Sequence, residues 1–279
     1  MEPSAEAAAR LLRGNDEVRE RVERRGPSRS FALFMLGLAA VVAVYLGVFM
    51  LSFGSRSIDE MATSVGTYSN ALLFPFLIFT SLVSGARERF DIRRKPSPGY
   101  WIALGLVVVA FCIPLVAMFN EVVYPRWMNL LAPVAVFVAM AASPIRQLRL
   151  ANTSDSAQWA SEPLSRPVRW TTSAIGVATG LIAATSTQPW FPIVSWSTLI
   201  LLLVVLASWL APWGLPRTGF EWGPLHWGAF LIAVSILYAL TLLLTRTTWI
   251  TTWIAVGAGV TIAAVLLVAA SLPARPRHA

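Results

Sequence analysis

Uncharged polar side chains are the groups that could act chemically inside the long apolar segments of this sequence. Six residues form two groups that we take as candidates for a substrate path: Asn70, Pro75 and Thr80 in one segment, and Thr185, Thr187 and Gln188 in another. A proline inside a helix leaves a carbonyl without its backbone donor, and hydroxyl and amide groups bind solutes through hydrogen bonds. Packing is the competing interpretation, because Ser and Thr in membrane helices commonly bond their own helix or a neighbour.

Ionisable side chains are missing from the same segments. Every Asp and Glu falls in a predicted tail or loop, and the two histidines, His226 and His278, lie at a segment edge and near the chain end. Intramembrane catalysis and ion coupling generally depend on buried ionisable residues. The sequence has no His pair at metal-ligand spacing, no Gly-x-Ser-x-Gly motif and no phosphate-binding glycine loop. We therefore expect a protein that is not an enzyme, with no catalytic residue, no cofactor and no metal site.

The overall composition indicates that the bilayer is the solvent for most of the chain. Of its 279 residues, 56% are hydrophobic and 13% are charged, whereas ordinary soluble domains are about 25% charged. The single cysteine, Cys112, lies in an apolar run and can form neither an internal disulfide nor a cysteine-based metal site. We predict an all-α integral membrane protein, because a helix needs about 20 apolar residues to cross a bilayer.

Eight segments have the length and composition of membrane spans. They are 31–53, 67–85, 100–119, 127–143, 171–188, 195–212, 226–245 and 249–272. Placing both termini in the cytoplasm puts 19 of the 22 Lys and Arg residues on the cytoplasmic side, as the positive-inside rule requires. The strong preference for Arg over Lys suggests a GC-rich coding sequence, so we expect a bacterial inner membrane.

Tryptophans support these segment ends. Nine of the 12 tryptophans fall at or near a predicted span end, where an indole ring contacts both the apolar layer and water. The nine are Trp101, Trp127, Trp170, Trp190, Trp196, Trp213, Trp227, Trp249 and Trp253. An interfacial belt is the simplest interpretation, and a tryptophan-lined ligand site near 190–196 or 209–227 is the alternative.

The third and fourth spans resemble the seventh and eighth. Trp101 and Trp227 are 126 residues apart, and so are Trp127 and Trp253. We therefore predict two parallel four-helix halves related by an axis along the membrane normal. The predicted divisions are a cytoplasmic Arg-rich arm 1–30, a first half 31–143, a linker 144–170, a second half 171–272 and a cytoplasmic tail 273–279.

The cytoplasmic segments carry the residues that we expect to meet lipid or protein partners. Five of these candidates lie in one short loop: Arg87, Arg89, Arg93, Arg94 and Lys95. Lipid headgroups and stop-transfer account for such a loop, and docking of a cytoplasmic protein is the alternative. The arm 1–30 is compatible with the inner membrane surface, with a partner or with a frayed tail. No soluble segment is long enough for a convincing nucleic-acid-binding face.

Three functions remain compatible with these features. The first is a non-enzymatic, transporter-like (permease) subunit or a component of a membrane translocation complex. The second is a structural, assembly or regulatory subunit that scaffolds other membrane proteins. The third, an intramembrane enzyme that uses hydroxyl groups or backbone alone, has only Asn70, Thr185 and Thr187 as candidates. The sequence identifies neither a substrate nor a named partner.

Overall fold

The computed structural model describes residues 29–53, 58–89, 98–120, 122, 124–150, 163–207, 211 and 213–273. Within these residues all the regular structure is helical, and the α-helices are numbered here in chain order. They are α1 (Arg29–Phe53), α2 (Ile58–Arg89), α3 (Pro98–Phe119), α4 (Leu131–Leu150), α5 (Arg166–Thr185), α6 (Phe191–Ala207), α7 (Leu215–Glu221), α8 (Pro224–Arg246) and α9 (Thr252–Ser271), with a 3-10 helix at Arg126–Leu130 before α4. The predictions made for 1–28, for most of the linker and for 274–279 lie outside the described residues.

The all-α prediction is confirmed, and a long helix covers most of each predicted span. Five helical stretches in the described part of the chain are long and apolar enough to cross a membrane: Phe31–Ser52, Tyr68–Arg89, Arg126–Arg149, Pro224–Arg246 and Thr252–Ser271. In α3 and α6 the apolar helical stretches found among the described residues are Gly105–Pro114 and Phe191–Leu203. The five long stretches have the length and apolarity that contact with a lipid bilayer requires.

Several helix ends differ from the predicted span ends. The second span was predicted to begin at 67, but α2 begins at Ile58, and acidic residues such as Asp59 and Glu60 are favoured in the first turn of a helix. Part of the predicted linker is also helical, because α4 runs through Pro144 to Leu150 and α5 begins at Arg166. Arg149 lies in the last turn of α4, where a positive charge is favourable.

Contacts between helices define a basic end of the bundle. Phe34 near the start of α1 lies edge-on to Trp227 near the start of α8, with ring centroids 5.3 Å apart. The last residue of α2 bonds to α7, and the residue before α5 bonds to Glu221 of α7. Eight of the ten described arginines therefore share this end: Arg29, Arg87, Arg89, Arg146, Arg149, Arg166, Arg169 and Arg217.

The opposite end is defined by a second set of contacts. The Arg246 guanidinium at the end of α8 donates to the Leu51 carbonyl oxygen at the end of α1 at 2.6 Å. The Tyr68 hydroxyl near the start of the apolar part of α2 donates to the carbonyl oxygen of Ser186, just after α5. The contacts at the two ends show that α1, α5 and α8 begin at the basic end and that α2 ends there. Apart from Arg246, only Arg126 among the described arginines lies at this end.

The most extensive packing in the described part of the bundle joins α5 to α9. This pair and the pair formed by α1 and α4 have the most extensive helix–helix contacts among the described elements. A methyl group added at Gly180 would lie 2.6 Å from the carbonyl oxygen of Gly259, and one added at Gly176 would lie 2.7 Å from Cβ of Leu266. Small residues allow backbones to approach this closely, and dispersion between them stabilises helix pairs in lipid.

Most of the tryptophans predicted to mark span ends have exposed rings. They are Trp127, Trp170, Trp190, Trp196, Trp213, Trp249 and Trp253, with exposed fractions between 42% and 85%. Trp227 is the exception, since it is 7% exposed and packs against Phe79 with ring centroids 6.2 Å apart. The side chain of Trp101 lies outside the described residues. Exposed rings at both ends of the bundle fit an interfacial belt.

Candidate functional site

At the opposite end of the bundle, the start of the apolar part of α2 lies beside the break between α5 and α6. The Tyr68 hydroxyl of α2 donates to the Ser186 carbonyl oxygen at 3.4 Å, across 118 residues of chain. The Tyr68 ring also lies against Phe191 at the start of α6, with centroids 5.5 Å apart. The polar part of α2 therefore lies beside the break between α5 and α6. We call the surroundings of this contact, formed by Tyr68, Asn70, 185–188 and Ser195, the interhelical polar site.

Two buried polar atoms in the interhelical polar site have no hydrogen-bond partner among the described residues. They are Nδ2 of Asn70, whose side chain is 6% exposed, and Oγ of Ser195, which is 2% exposed. Along the helix axes Asn70 lies about 3 Å from Tyr68, on nearly the opposite face of α2, and Ser195 lies about 6 Å from Phe191 on the same face of α6. A third such atom, Oγ of Ser52, lies in the last turn of α1 at the same end. Buried polar atoms without partners are uncommon in proteins.

The break between α5 and α6 is a polar turn that satisfies most of its own groups. The Thr185 hydroxyl donates to the Leu181 carbonyl at 2.7 Å, and the Gln188 backbone N–H donates to the Thr185 carbonyl at 2.9 Å. The Thr187 hydroxyl donates to the hydroxyl of Thr252 at the start of α9, at 3.4 Å. Helix α5 ends at Thr185, three residues before the predicted end of the fifth span at 188.

Pro75 lies inside α2, as predicted, and a tyrosine from α8 bonds beside it. Proline has no N–H to offer the carbonyl four residues earlier. The Tyr238 hydroxyl donates to the Leu72 carbonyl oxygen at 3.3 Å. Next to the proline, Phe76 stacks on Tyr45 of α1 with centroids 4.0 Å apart and planes inclined by 10°. The proline segment is thus supported by aromatic residues from two other helices, which the sequence did not reveal.

Thr80 does not join the interhelical polar site. It lies ten residues beyond Asn70, about 15 Å along the helix. Its side chain is exposed, and its hydroxyl donates to the Leu77 carbonyl of its own helix at 2.9 Å. This geometry is the intrahelical bonding common for Thr in membrane helices.

At the basic end, α7 forms a tightly held platform that sequence patterns did not predict. The segment 213–225 was predicted as a simple cytoplasmic loop. Instead, α7 crosses α2 so closely that a methyl group on Gly85 would overlap the Pro216 carbonyl, and one on Gly219 would overlap the Leu82 carbonyl. A proline in the first turn and the Arg217–Glu221 pair at helical spacing are the sequence signals that favour such a helix.

Two long-range hydrogen bonds hold the end of α7. Nη1 of Arg89 donates to the carbonyl oxygens of Phe220 and Trp222, at 3.0 and 3.3 Å. The fully buried indole of Trp222 donates from Nε1 to the hydroxyl oxygen of Thr172 in α5, at 2.9 Å. Arg89, a candidate for lipid or partner contact, is therefore engaged within the chain. Of the other candidates Arg87 is exposed, and Arg93, Arg94 and Lys95 lie outside the described residues.

His226 lies in the first turn of α8. Its side chain is fully buried, and Nδ1 accepts a hydrogen bond from the Gly223 backbone N–H at 3.3 Å at the start of the helix. No group of three His, Cys, Asp or Glu side chains within the described ranges could hold a metal ion. The interhelical polar site consists of hydrogen-bonding groups and aromatic rings.

Comparison with known protein families, with curated proteins and with solved structures finds no match to this chain. The all-helical fold of the described residues, with its five long apolar stretches, indicates a helical membrane protein.

Proposed function

We propose that the chain is a non-enzymatic, transporter-like (permease) subunit, or a component of a membrane translocation complex. The observation that carries this proposal is the burial of the Asn70 amide and the Ser195 hydroxyl without partners among the described residues. Leaving such groups unbonded in apolar surroundings costs about 1–3 kcal/mol each. A passing solute that accepts or donates hydrogen bonds offsets this cost while it is in the site.

The proposed substrate path includes Asn70 and runs beside Pro75 and the turn containing Thr185, Thr187 and Gln188. Breaks in membrane helices are tolerated where the freed backbone groups line a cavity or find partners in neighbouring elements. The path lies between α2, α5 and α6, at the end of the bundle where the helices are joined by the polar turn. Thr80 is left out of the proposed path because it bonds its own helix and faces outward.

The proposal includes eight membrane spans in two parallel halves. Two helix starts support the duplication, because Pro98 and Pro224, which begin α3 and α8, are 126 residues apart, as are Arg126 and Thr252, which begin the 3-10 helix and α9. The packing is also equivalent, since α1 packs on α4 as α5 packs on α9, pairing the first and last spans of each half. In this arrangement a pseudo-twofold axis runs along the membrane normal.

The orientation follows from the arginines. With the basic end in the cytoplasm of a bacterial cell, both termini are cytoplasmic and the interhelical polar site faces the outer half of the inner membrane. Arg87, Arg93, Arg94 and Lys95 then face cytoplasmic partners or lipid. Because the chain has no nucleotide-binding motif of its own, we expect passive transport or an energy-supplying partner subunit.

Transport by the purified protein in vesicles tests the proposal. Proteoliposomes are mixed rapidly with uncharged polar solutes such as glycerol and urea, and light scattering follows their volume. We expect faster solute entry than into empty vesicles, and an Asn70→Leu variant that slows it about tenfold by removing one hydrogen bond from the path. Thr261→Val is the matched control, since this exposed threonine of α9 bonds the Gly257 carbonyl of its own helix.

Deletion of the gene in the source cell is the second experiment. A natural substrate that is not among the tested solutes is detected there as altered uptake or export. The transport proposal is abandoned if the vesicles move nothing and the deletion strain shows no transport defect.

A structural or assembly role is favoured by one separate observation. Helix α3 packs mainly on α4, and its exposed side chains include Leu106, Val109 and Val116, each more than half exposed. In this second proposal α3 meets another membrane protein, and the arm 1–26 assists docking. Removing 1–26 should then abolish co-purification of membrane partners while membrane insertion persists; unchanged co-purification contradicts the scaffold role.

A further inference from the structure

At the basic end of the bundle, arginines and tryptophans are exposed at the start of α5 and in and just before α7. Arg166 and Arg169 are exposed in the first turn of α5, and the Arg217 side chain of α7 is 57% exposed. Trp170 is 77% exposed and Trp213 is 42% exposed. We call these five residues the basic seat.

Two hydrogen bonds hold the two parts of the basic seat together, and a third fixes Arg217 within α7. The Thr171 hydroxyl donates to the Trp213 carbonyl oxygen at 2.9 Å. The Ser165 backbone N–H donates to Oε2 of Glu221, and Nε of Arg217 donates to Oε1 of the same carboxylate, both at 2.9 Å. The Arg217 guanidinium and the start of α5 are therefore fixed on either side of one carboxylate.

The charge of the basic seat is positive. It contains three guanidinium groups, and the one carboxylate of Glu221 is already bonded on both oxygens. Arg169 is held in place because its Nε donates to the Ala270 carbonyl oxygen at the end of α9, at 3.2 Å. A fixed, positively charged surface of this kind favours a phosphate group, which guanidinium binds by charge-assisted hydrogen bonds.

An exposed stripe on α5 leads away from the basic seat along the bundle. Trp170, Ala174, Val177 and Leu181 are all exposed and follow the spacing of four, three and four residues that aligns side chains on one helix face. Val177 is 44% exposed and Leu181 is 49% exposed. A long molecule whose charged end is bound at the basic seat therefore contacts Trp170 and then the aliphatic side chains of the stripe.

We propose that the basic seat binds the phosphate headgroup of an anionic phospholipid, whose acyl chain lies along the α5 stripe. Tryptophan at the boundary between the arginines and the aliphatic residues matches the depth of the headgroup layer. A soluble phosphate would use the arginines alone and leave the stripe without a role. Basic residues near a membrane surface each contribute about 1 kcal/mol to the binding of anionic lipid.

The proposal is tested with the full-length protein in a neutral detergent. Phosphatidylglycerol or phosphatidylcholine is titrated in, and native mass spectrometry measures bound lipid. We expect selective binding of phosphatidylglycerol, weakened about thirtyfold in the double variant Arg166→Gln/Arg217→Gln. The matched control is Arg146→Gln/Arg149→Gln, which removes two exposed arginines of α4 at the same end of the bundle.

A second variant guards against misfolding, because Arg217 also contacts Glu221. Arg166→Gln alone leaves that pair intact and should weaken binding by about fivefold. Equal binding of the two lipids, equal losses in the α4 control, or full competition by inorganic phosphate each overturns the proposal. None of these outcomes bears on whether the protein transports solutes.

Discussion

Nη1 of Arg89 lies 3.0 Å from the carbonyl oxygen of Phe220, although the two residues are 131 positions apart in the chain. The last carbonyls of a helix have no partner inside it, and here the end of α7 is satisfied by a side chain from the end of α2. Arg169 does the same for α9 through Ala270, and Arg246 for α1 through Leu51. Three arginines thus donate hydrogen bonds to terminal carbonyl groups of helices other than their own.

Arg89 and Arg87 form a matched pair for testing this role. Arg89→Ala should lower the free energy of unfolding by about 1.5–3 kcal/mol, since hydrogen bonds from charged groups contribute that much. Arg87→Ala changes an exposed residue of the same helical turn and should stay within about 0.5 kcal/mol of wild type. Thermal unfolding in detergent measures both variants. Equal losses would mean that net charge, rather than the bond to α7, sets the effect.

Two glycines of α9 test the close contact with α5. A methyl group at Gly259 would lie 2.6 Å from Cβ of Ala184, whereas one at Gly257 would meet nothing within 4 Å. Gly259→Ala should therefore destabilise the protein by about 1–3 kcal/mol through overpacking. Gly257→Ala should leave stability unchanged or raise it by up to about 1 kcal/mol, because Ala is the better helix former. Circular dichroism follows the unfolding of both variants in a denaturing detergent. Equal stabilities of the two variants would refute the close contact.

Trp222 tests whether α7 is a structural platform. Trp222→Phe removes the Nε1 bond to Thr172 and leaves part of a buried indole site empty. We expect a loss of about 1–3 kcal/mol in unfolding free energy. Trp249→Phe is the control because its ring is 81% exposed, and it should have little effect. A Trp222 variant as stable as the control would show that α7 does not depend on this bond.

Asn70 allows a structural role to be separated from a functional one. Asn70→Leu replaces a buried amide that lacks a partner on Nδ2 with an apolar group of similar size. Its unfolding midpoint should be equal to or higher than that of wild type, because an unsatisfied donor is removed. Solute entry into vesicles should fall in the same protein. A clear loss of stability, with transport reduced in proportion, would instead mark Asn70 as part of the packing.

Local sequence patterns were sufficient to predict the long helices, but neither the short helix α7 nor the contacts between helices. Helices α8 and α9 could be predicted because each corresponds to a long, continuous run of apolar residues in the sequence. The platform formed by α7 depends on two glycines, Gly85 and Gly219, that come together only in the folded chain. No periodicity connects positions 134 residues apart, so the segment 213–225 was predicted as a loop.

The candidate site was predicted only in part for the same reason. Asn70 and the turn from Thr185 to Gln188 were singled out as separate polar groups, and the Tyr68–Ser186 contact joins the two segments in which they lie. Ser195 was missed, because one serine in a long apolar run gives no signal until its burial is known. Thr80 was included because its residue type fits, yet its orientation on α2 excludes it from the site.

The α5–α9 contact also orders events during synthesis. A ribosome makes α5 before α9, so the glycine face at Gly176 and Gly180 is complete before the helix that covers it exists. Until α9 enters the membrane, that face must be occupied by lipid or by the insertion machinery. Nascent chains that stop short of Thr252 therefore lack the helix that covers this glycine face.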